Sequence, residues 1–207
     1  MSSFAFDYTN FRKPPNVFGR EDLYRQTTLY CDVVIVGSGA GGSTAAAELS
    51  EAGFDVIVLE EGGYFGTKDF TTNASEMIRT LYRDGGATVT IGTPPVFYQE
   101  GAMVGGSTPV NGGMAWRTPE KILQRWHEAD GLEAIQMKDM EHFFERVERR
   151  LSVRHQDPQS IGIDNQLLKA GADKKGWKTI PNLRNQVHCT GSNNCAFGCP
   201  TGAKQSA

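Results

Sequence analysis

A glycine-rich turn at residues 37–42, which we call the glycine turn, has the residue types and spacing needed to hold a phosphate group. Its sequence, GSGAGG, follows the pattern G-x-G-x-x-G. Gly37 permits a sharp turn, Gly39 lets a pyrophosphate approach the backbone, and Gly42 lets a helix pack closely on the preceding strand. Because a helix beginning here points its first N–H groups at the phosphates, the turn predicts an anion site.

The residues on either side of the glycine turn predict the elements that position it. An apolar, β-branched run at Val33–Val36 precedes the turn and predicts a buried parallel strand. Helix-forming residues continue to Gly53, which is a helix cap, and the apolar run Val56–Leu59 predicts a second strand. Glu60 ends that strand, where its carboxylate would accept hydrogen bonds from a ribose. The order predicts a dinucleotide site, and the acidic residue disfavours NADP, leaving FAD and NAD.

Composition narrows the class of protein. The 207 residues suit one domain or slightly more, and a net charge of −3 provides no basic surplus for binding nucleic acid. No run approaches the roughly 18 apolar residues of a membrane span, and no signal peptide is recognisable at the N-terminus. Four cysteines do not make the disulfide framework of a small secreted protein. We therefore expect a soluble cytoplasmic protein, with export alongside a signal-bearing partner left open.

A second glycine-rich stretch, Gly101–Arg117, contains five glycines together with Ser107, Thr108 and Asn111. Glycine leaves the backbone bare, and neighbouring hydroxyl and amide groups can hydrogen-bond a phosphate or the edge of a flavin ring. A flexible surface loop explains the same composition equally well. The residues alone leave both interpretations open.

The two glycine-rich stretches together resemble the glucose-methanol-choline (GMC) oxidoreductases, FAD enzymes that oxidise alcohols. The resemblance rests on GSGAGG and VIVLEEGG followed by VGGSTPVNGG, and it extends from about Asp32 to the end of the chain. In the family the loop G-x-x-x-G-G-S-[ST]-x-x-N lies against the flavin and its pyrophosphate, so the resemblance implies FAD rather than NAD. The predicted cofactor-binding residues are Gly37, Ser38, Gly39, Ala40, Gly42, Glu60, Gly101, Val104, Gly105, Gly106, Ser107, Asn111, Gly112, Met114 and Ala115.

One position departs from part of this family. Members with covalently attached flavin carry a histidine just before the position of Asn111, and this chain has Val110 there. Valine has no nucleophilic atom with which to attack the flavin methyl group. The resemblance therefore implies non-covalent FAD.

Three cysteines near the end of the chain form another candidate site. Cys189, Cys195 and Cys199 are spaced C-x5-C-x3-C, and Pro200 follows them. Thiolates this close in a glycine-rich loop can converge on one inorganic centre, although reduced buried cysteines or a disulfide fit the spacing too. The segment is similar to the catalytic subunit of bacterial FAD-dependent glucose dehydrogenases, where three such cysteines hold a 3Fe–4S cluster. The similarity implies that cluster here, with a cytochrome or another electron-acceptor subunit as partner.

The resemblance also implies a reaction and an incomplete chain. In the family a histidine base takes the hydroxyl proton of an alcohol while the carbinol hydrogen leaves as a hydride to flavin N5. That histidine lies in the final portion of family members, and no histidine here matches it, so we assign no catalytic residue. Family members are more than twice as long, which implies truncation before the substrate domain. The alternatives are a non-catalytic FAD-binding remnant and an NAD-dependent dehydrogenase.

The predicted fold class is α/β: a Rossmann-like FAD-binding fold with a parallel sheet, incomplete in this chain, plus a helical insertion. Its predicted parts are an extended lead-in at 1–30, an FAD-binding core with a flavin loop at 31–117, a helical segment at 118–180 and a cysteine-rich loop at 181–207. Apolar spacing predicts helices at 74–82, 119–131, 138–151 and 163–175, with Thr118 as an N-cap, and a strand at Trp177–Ile180.

Overall fold

The computed structural model describes residues 14–23 and 25–207, so residues 1–13 and 24 of the predicted lead-in lie outside the described residues. The chain divides into two compact units. The first unit comprises Met1–Gly112, Asn193–Gly202 and Ser206–Ala207, and the second comprises Gly113–Ser192 and Ala203–Gln205. Within the described ranges, no helix is both long and apolar enough to cross a bilayer.

The first unit opens with a parallel β-α-β arrangement. Strand β1 (Val33–Val36) leads into helix α1 (Ala40–Glu51) and then strand β2 (Val56–Leu59). The strands pair in parallel from Val33 with Val56 to Val36 with Leu59. Gly53 follows the helix with a φ of +93°, a conformation that glycine adopts without the steric cost of a side chain. The two predicted strands and the helix between them are confirmed.

The β1–β2 sheet is more exposed than predicted. Val33 and Ile35 are half-buried, whereas Val34 and Val36 are 55% and 83% exposed. A Cβ on Gly42 of α1 would lie 3.3 Å from a methyl carbon of Ile35, so α1 covers the face that bears Ile35. The prediction of a fully buried strand is wrong, because the sheet has two strands among the described residues and β1 presents alternate side chains to solvent.

The core of the first unit lies farther along the chain. Helix α2 (Ala74–Leu81) is N-capped by Asn73, whose side chain accepts a hydrogen bond from the Glu76 N–H. Strands β3 (Thr88–Val89) and β4 (Phe97–Tyr98) form a short antiparallel pair. The buried core cluster consists of Met77, Leu81, Met103 and Val110. Helix α2 therefore packs against residues of the second glycine-rich stretch.

The second unit contains three helices and one antiparallel strand pair among its described residues. The elements are α3 (Glu120–Asp130), α4 (Met137–Arg150), β5 (Val153–His155), α5 (Ile163–Lys174) and β6 (Leu183–Asn185). Gly131 directly follows α3 with a φ of +67°, and Gly176 lies two residues beyond the end of α5 with a φ of +69°. All three helices lie within one or two residues of their predicted ends.

Two predictions for the second unit are wrong. Pro119, not Thr118, is the N-cap of α3, because the Pro119 backbone is non-helical, with a ψ of 141°, and its carbonyl accepts the first hydrogen bonds of the helix. The strand predicted at Trp177–Ile180 is absent there, and Trp177 is 69% exposed. The strand forms instead at β6, where a pairing partner, β5, is present.

Candidate dinucleotide-binding site

The glycine turn connects β1 to α1 and leaves an open backbone surface. Gly37 has a φ of +87°, in the region that favours glycine. No described atom lies within 4 Å of a Cβ placed on Gly37, Gly39 or Gly41. A Cβ on Gly42, by contrast, would lie 1.9 Å from the Gly37 carbonyl oxygen. The mouth of the turn is therefore free of side chains, whereas its base is closed by tight packing between strand and helix.

The N-terminus of the helix that follows the turn is suited to binding an anion. Gly39 is the N-cap of α1 and has no side chain to accept the first N–H groups of the helix. A helix N-terminus carries a partial positive charge, and N–H groups there hydrogen-bond phosphates well. The turn thus combines open space with N–H donors whose partial positive charge attracts a phosphate.

Glu60 faces the glycine turn from the end of β2. Its Oε2 accepts hydrogen bonds from the Ser38 N–H at 2.8 Å and from the Ser38 hydroxyl at 2.6 Å. Its Oε1 accepts one from the Gly62 N–H at 2.9 Å. Burial raises the pKa of Glu60, but hydrogen bonds from the Ser38 hydroxyl and the neighbouring backbone outweigh this and hold the pKa below its ordinary value. The carboxylate is therefore ionised at neutral pH.

The part of the second glycine-rich stretch in the first unit, residues 101–112, is called the GG loop below. It runs beside the continuation of β2, since Met103 forms a parallel bridge with Gly63 and the Val104 N–H donates to the Gly63 carbonyl at 3.0 Å. A Cβ on Gly106, whose φ is +58°, would lie 2.9 Å from the Gly39 Cα. Because only a bare backbone fits at this distance, the GG loop packs on the glycine turn and is not a flexible surface loop.

The structure brings most of the predicted cofactor-binding residues into one unit. The glycine turn, Glu60 and the GG loop all belong to the first unit. Ser107 and Asn111 stabilise the loop itself, because the Ser107 hydroxyl accepts from the Gly101 N–H at 2.9 Å and the Asn111 N–H donates to the Ser107 carbonyl at 3.0 Å. Met114 and Ala115 belong to the second unit, so their role at a cofactor stays a prediction.

Tyr82 is a residue of this region that sequence reasoning assigned only to an apolar helix face. Its hydroxyl lies 2.9 Å from the Val110 carbonyl oxygen and 2.6 Å from that of Ala196, and both are acceptors. It thereby joins the GG loop to residues 193–202, and burial raises its pKa. The partners are 28 and 114 residues away in the sequence, so no local pattern could have indicated them.

The predicted metal ligands are divided between the units. Cys189 belongs to the second unit, and Cys195 and Cys199 belong to the first. The Gly191 N–H donates to the Cys189 Sγ at 3.4 Å, and the Cys199 Sγ lies 3.3 Å from the Thr201 hydroxyl. Among the described residues, no three His, Cys, Asp or Glu side chains form a group that could hold a metal ion. The 3Fe–4S cluster stays a prediction.

Comparison with known proteins places these features in a family. Residues 32–84, which contain the glycine turn and Glu60, match a family model described as an FAD binding domain. Residues 78–207, which contain the GG loop, match the model of the GMC oxidoreductase N-terminal region. The FAD-binding domain supports FAD as the cofactor, and the open turn and ionised Glu60 fit that group.

Individual relatives agree with these matches. An uncharacterized GMC-type oxidoreductase of Sinorhizobium fredii is 37% identical over 188 residues, which cover 91% of this chain and 37% of the relative. A long-chain-alcohol oxidase of Arabidopsis thaliana is 33% identical over 186 residues, covering 89% of this chain and 24% of the relative. The chain thus spans less than two fifths of the length of the first relative and about a quarter of the length of the second.

A solved structure confirms the fold. Pyridoxine 4-oxidase from Mesorbium loti superimposes with a TM-score of 0.53 and 17% sequence identity, covering 84% of this chain and 41% of that chain. With the β-α-β arrangement, this likeness confirms the α/β, Rossmann-like fold class. The GMC model covers more than half of the sequence and includes the GG loop that packs on the glycine turn, and the chain therefore belongs to the GMC oxidoreductase family.

Proposed function

We propose that this chain supplies the FAD-binding part of an enzyme that oxidises an alcohol CH–OH group. The observation that carries the proposal is the open glycine turn with the ionised Glu60 carboxylate directed at it. Membership of the GMC oxidoreductase family and the named long-chain-alcohol oxidases support an alcohol as the substrate. Because the chain covers only 37% and 24% of the two relatives, the alcohol-oxidising reaction itself is part of this proposal.

The described residues divide the binding of FAD between them. The glycine turn and the start of α1 would hold the pyrophosphate, because they present bare backbone and N–H donors. Glu60 would accept hydrogen bonds from the adenosine ribose. When bound, FAD supplies the two-electron acceptor for the carbon–hydrogen bond of the alcohol. The chain's own contribution is to bind and orient the cofactor, and no proton-accepting residue for the alcohol is assigned in it.

We further propose that FAD is held without a covalent bond. Val110 occupies the position where covalent members of the family carry histidine, and it is 2% exposed within the apolar core of the first unit. Its side chain carries no nucleophile. Precipitation of the FAD-loaded protein with acid should leave the yellow colour in the supernatant, and colour retained by the pellet would contradict this proposal.

The experiment that tests the proposed function is a titration of the purified 207-residue chain with FAD, followed by the quenching of flavin fluorescence. We expect saturable binding of one FAD per chain and no displacement by excess NAD. Binding of NAD in preference to FAD would support the alternative of an NAD-dependent dehydrogenase. Binding of FAD by a chain whose full-length protein fails to oxidise any of a series of alcohols would support the non-catalytic alternative.

An iron–sulfur relay to a cytochrome or another acceptor would extend this function. Its support is the spacing of Cys189, Cys195 and Cys199 in the sequence. The geometry adds no support, because the described residues contain no group of ligands for a metal ion. Iron analysis and low-temperature spin resonance of protein purified without air test it. Three irons per chain with the spin signal of a 3Fe–4S cluster would establish the cluster that the relay needs, and iron-free protein would remove the relay from the proposal.

A further inference from the structure

Ser38 lies where three backbone segments of the first unit meet. It is 6% exposed. Its hydroxyl donates to Glu60 Oε2 at 2.6 Å and accepts from the Gly105 N–H at 2.9 Å. Its backbone N–H donates to the same Glu60 oxygen at 2.8 Å. One residue thus joins the glycine turn, the end of β2 and the GG loop.

The chemistry at this point requires a small hydroxyl. A hydroxyl donates one hydrogen bond and accepts up to two, so it can serve the carboxylate and the Gly105 N–H together. The space is tight, because Gly106 packs directly on Gly39. Alanine would fit the space but would leave the Gly105 N–H without its acceptor and would remove one of the donors to Glu60.

We propose that Ser38 is a positioning residue that orients the Glu60 carboxylate for the adenosine ribose of FAD and fastens the GG loop to the glycine turn. The inference rests on the proposed FAD-binding function. Two donors from Ser38 hold Oε2, and the Gly62 N–H holds Oε1, so the carboxylate has one fixed direction. Oε2 already accepts two hydrogen bonds, whereas Oε1 accepts one from the Gly62 N–H and keeps lone-pair capacity for a ribose hydroxyl.

The Ser38 hydroxyl also helps to keep Glu60 ionised. Burial raises the pKa of Glu60, and the Ser38 hydroxyl is the largest of the hydrogen-bonding causes that lower it. The other causes are the backbone N–H groups of Gly62, Ser38 and Glu61, and among the described residues no titratable side chain contributes. Loss of the hydroxyl therefore raises the pKa, so the carboxylate becomes protonated and stops accepting hydrogen bonds at a higher pH.

The test compares Ser38→Ala with a control, Thr44→Ala. Thr44 is an exposed hydroxyl residue of α1 whose side chain donates only to the Ala40 carbonyl, and it serves no other loop. Fluorescence titration should show FAD affinity at least tenfold weaker for Ser38→Ala and changed by less than twofold for Thr44→Ala. The pH below which FAD binding is lost should also be higher for Ser38→Ala than for the unchanged chain, which a purely structural role would not produce.

A second measurement needs no cofactor. Amide hydrogen exchange of Gly105 in the FAD-free protein should be at least tenfold faster in Ser38→Ala and unchanged in Thr44→Ala. If the unchanged chain binds no FAD, the proposed function fails while this exchange still tests the contact between Ser38 and the GG loop. Equal FAD affinity and an equal pH limit in Ser38→Ala and the unchanged chain would overturn the inference. Should Ser38→Ala not fold, the same titration is made with Ser38→Gly, which removes the hydroxyl and adds no atom, and unchanged FAD affinity in that variant would likewise overturn the inference.

Discussion

The glycine turn and the cysteine segment at 189–199 both present a short spacing pattern, but regular elements determine the geometry of only the first. The glycine turn lies between a strand and a helix, and the Gly37 N–H donates to the Leu59 carbonyl at 2.7 Å. The cysteine segment contains one three-residue 3-10 helix, Cys195–Phe197, and is divided between the two units. Residue spacing therefore predicts the local backbone geometry where a strand and a helix leave few free torsions, whereas an irregular backbone leaves that geometry open.

Replacement of a glycine at the base of the turn should have the largest effect. In Gly42→Ala the new Cβ would lie 1.9 Å from the Gly37 carbonyl oxygen, so strand and helix must separate. We expect the free energy of unfolding to fall by about 1–3 kcal/mol. The matched control is Gly41→Ala, where no described atom lies within 4 Å of the new Cβ. It should stabilise the helix by about 0.5–1 kcal/mol. Urea unfolding without FAD measures both, and equal effects would contradict the closed base.

Replacement of Glu60 should have the next largest effect. Glu60→Gln exchanges one acceptor oxygen for an NH₂ group and removes the charge, so the Ser38 donors and the ribose lose a shared partner. We expect FAD affinity to fall at least tenfold, about 1.4 kcal/mol. Glu61→Gln is the control, because Glu61 is exposed and pairs with Arg83. Its FAD affinity should change by less than twofold in the same fluorescence titration. Comparable losses in both variants would show that Glu60 has no special role.

The pH dependence of stability should contain a contribution from Glu60 and one from an ion pair in the second unit. The folded-state pKa of Glu60 is lowered, so its stabilisation is complete above the unfolded pKa of about 4.3 and is lost as the pH falls through the lower folded value. The pKa of Glu148 is lowered mainly by its hydrogen bond from Arg117, with the same sign.

The salt concentration distinguishes the contribution of the ion pair from that of the hydrogen bonds to Glu60. The Arg117–Glu148 contribution should weaken in high salt because both side chains are partly exposed, whereas the hydrogen bonds to Glu60 come from uncharged donors. Urea unfolding from pH 3 to 6 in low and high salt, with Glu148→Gln and Glu60→Gln as references, measures both contributions. Each variant retains the acid-dependent loss of stability that comes from the other carboxylate. If high salt reduced that loss equally in Glu148→Gln and Glu60→Gln, the two carboxylates would not differ in this way.

The smallest effect is expected in the cysteine segment. Cys189 is half-buried, belongs to the second unit and accepts a hydrogen bond from the Gly191 N–H. In iron-free protein, Cys189→Ser should change the free energy of unfolding by less than about 0.5 kcal/mol. FAD affinity should change by less than twofold. A tenfold loss of FAD affinity would show that this segment takes part in the cofactor site and would erase the contrast with the glycine turn.

Features that depend on neighbouring residues could be predicted from the amino-acid sequence alone. Strand β1, helix α1 and strand β2 lie where apolar runs and glycine caps predict them, and Glu60 faces the turn because it ends the second strand. Helices α4 and α5 also lie within one residue of their predicted ends. Strand and helix periodicity and capping act over a few residues, so a short stretch of sequence contains the information needed.

Contacts between segments that are distant in the sequence are apparent only in the folded chain. The exposure of Val36, the strand at β6 in place of 177–180 and the hydrogen bonds of Tyr82 each depend on the presence or absence of a partner far along the chain. The contact of Ser38 with Gly105 spans 67 residues. A single serine hydroxyl or tyrosine carries no local mark of such a partner, because the free energy of the contact arises from the packing that brings the two segments together.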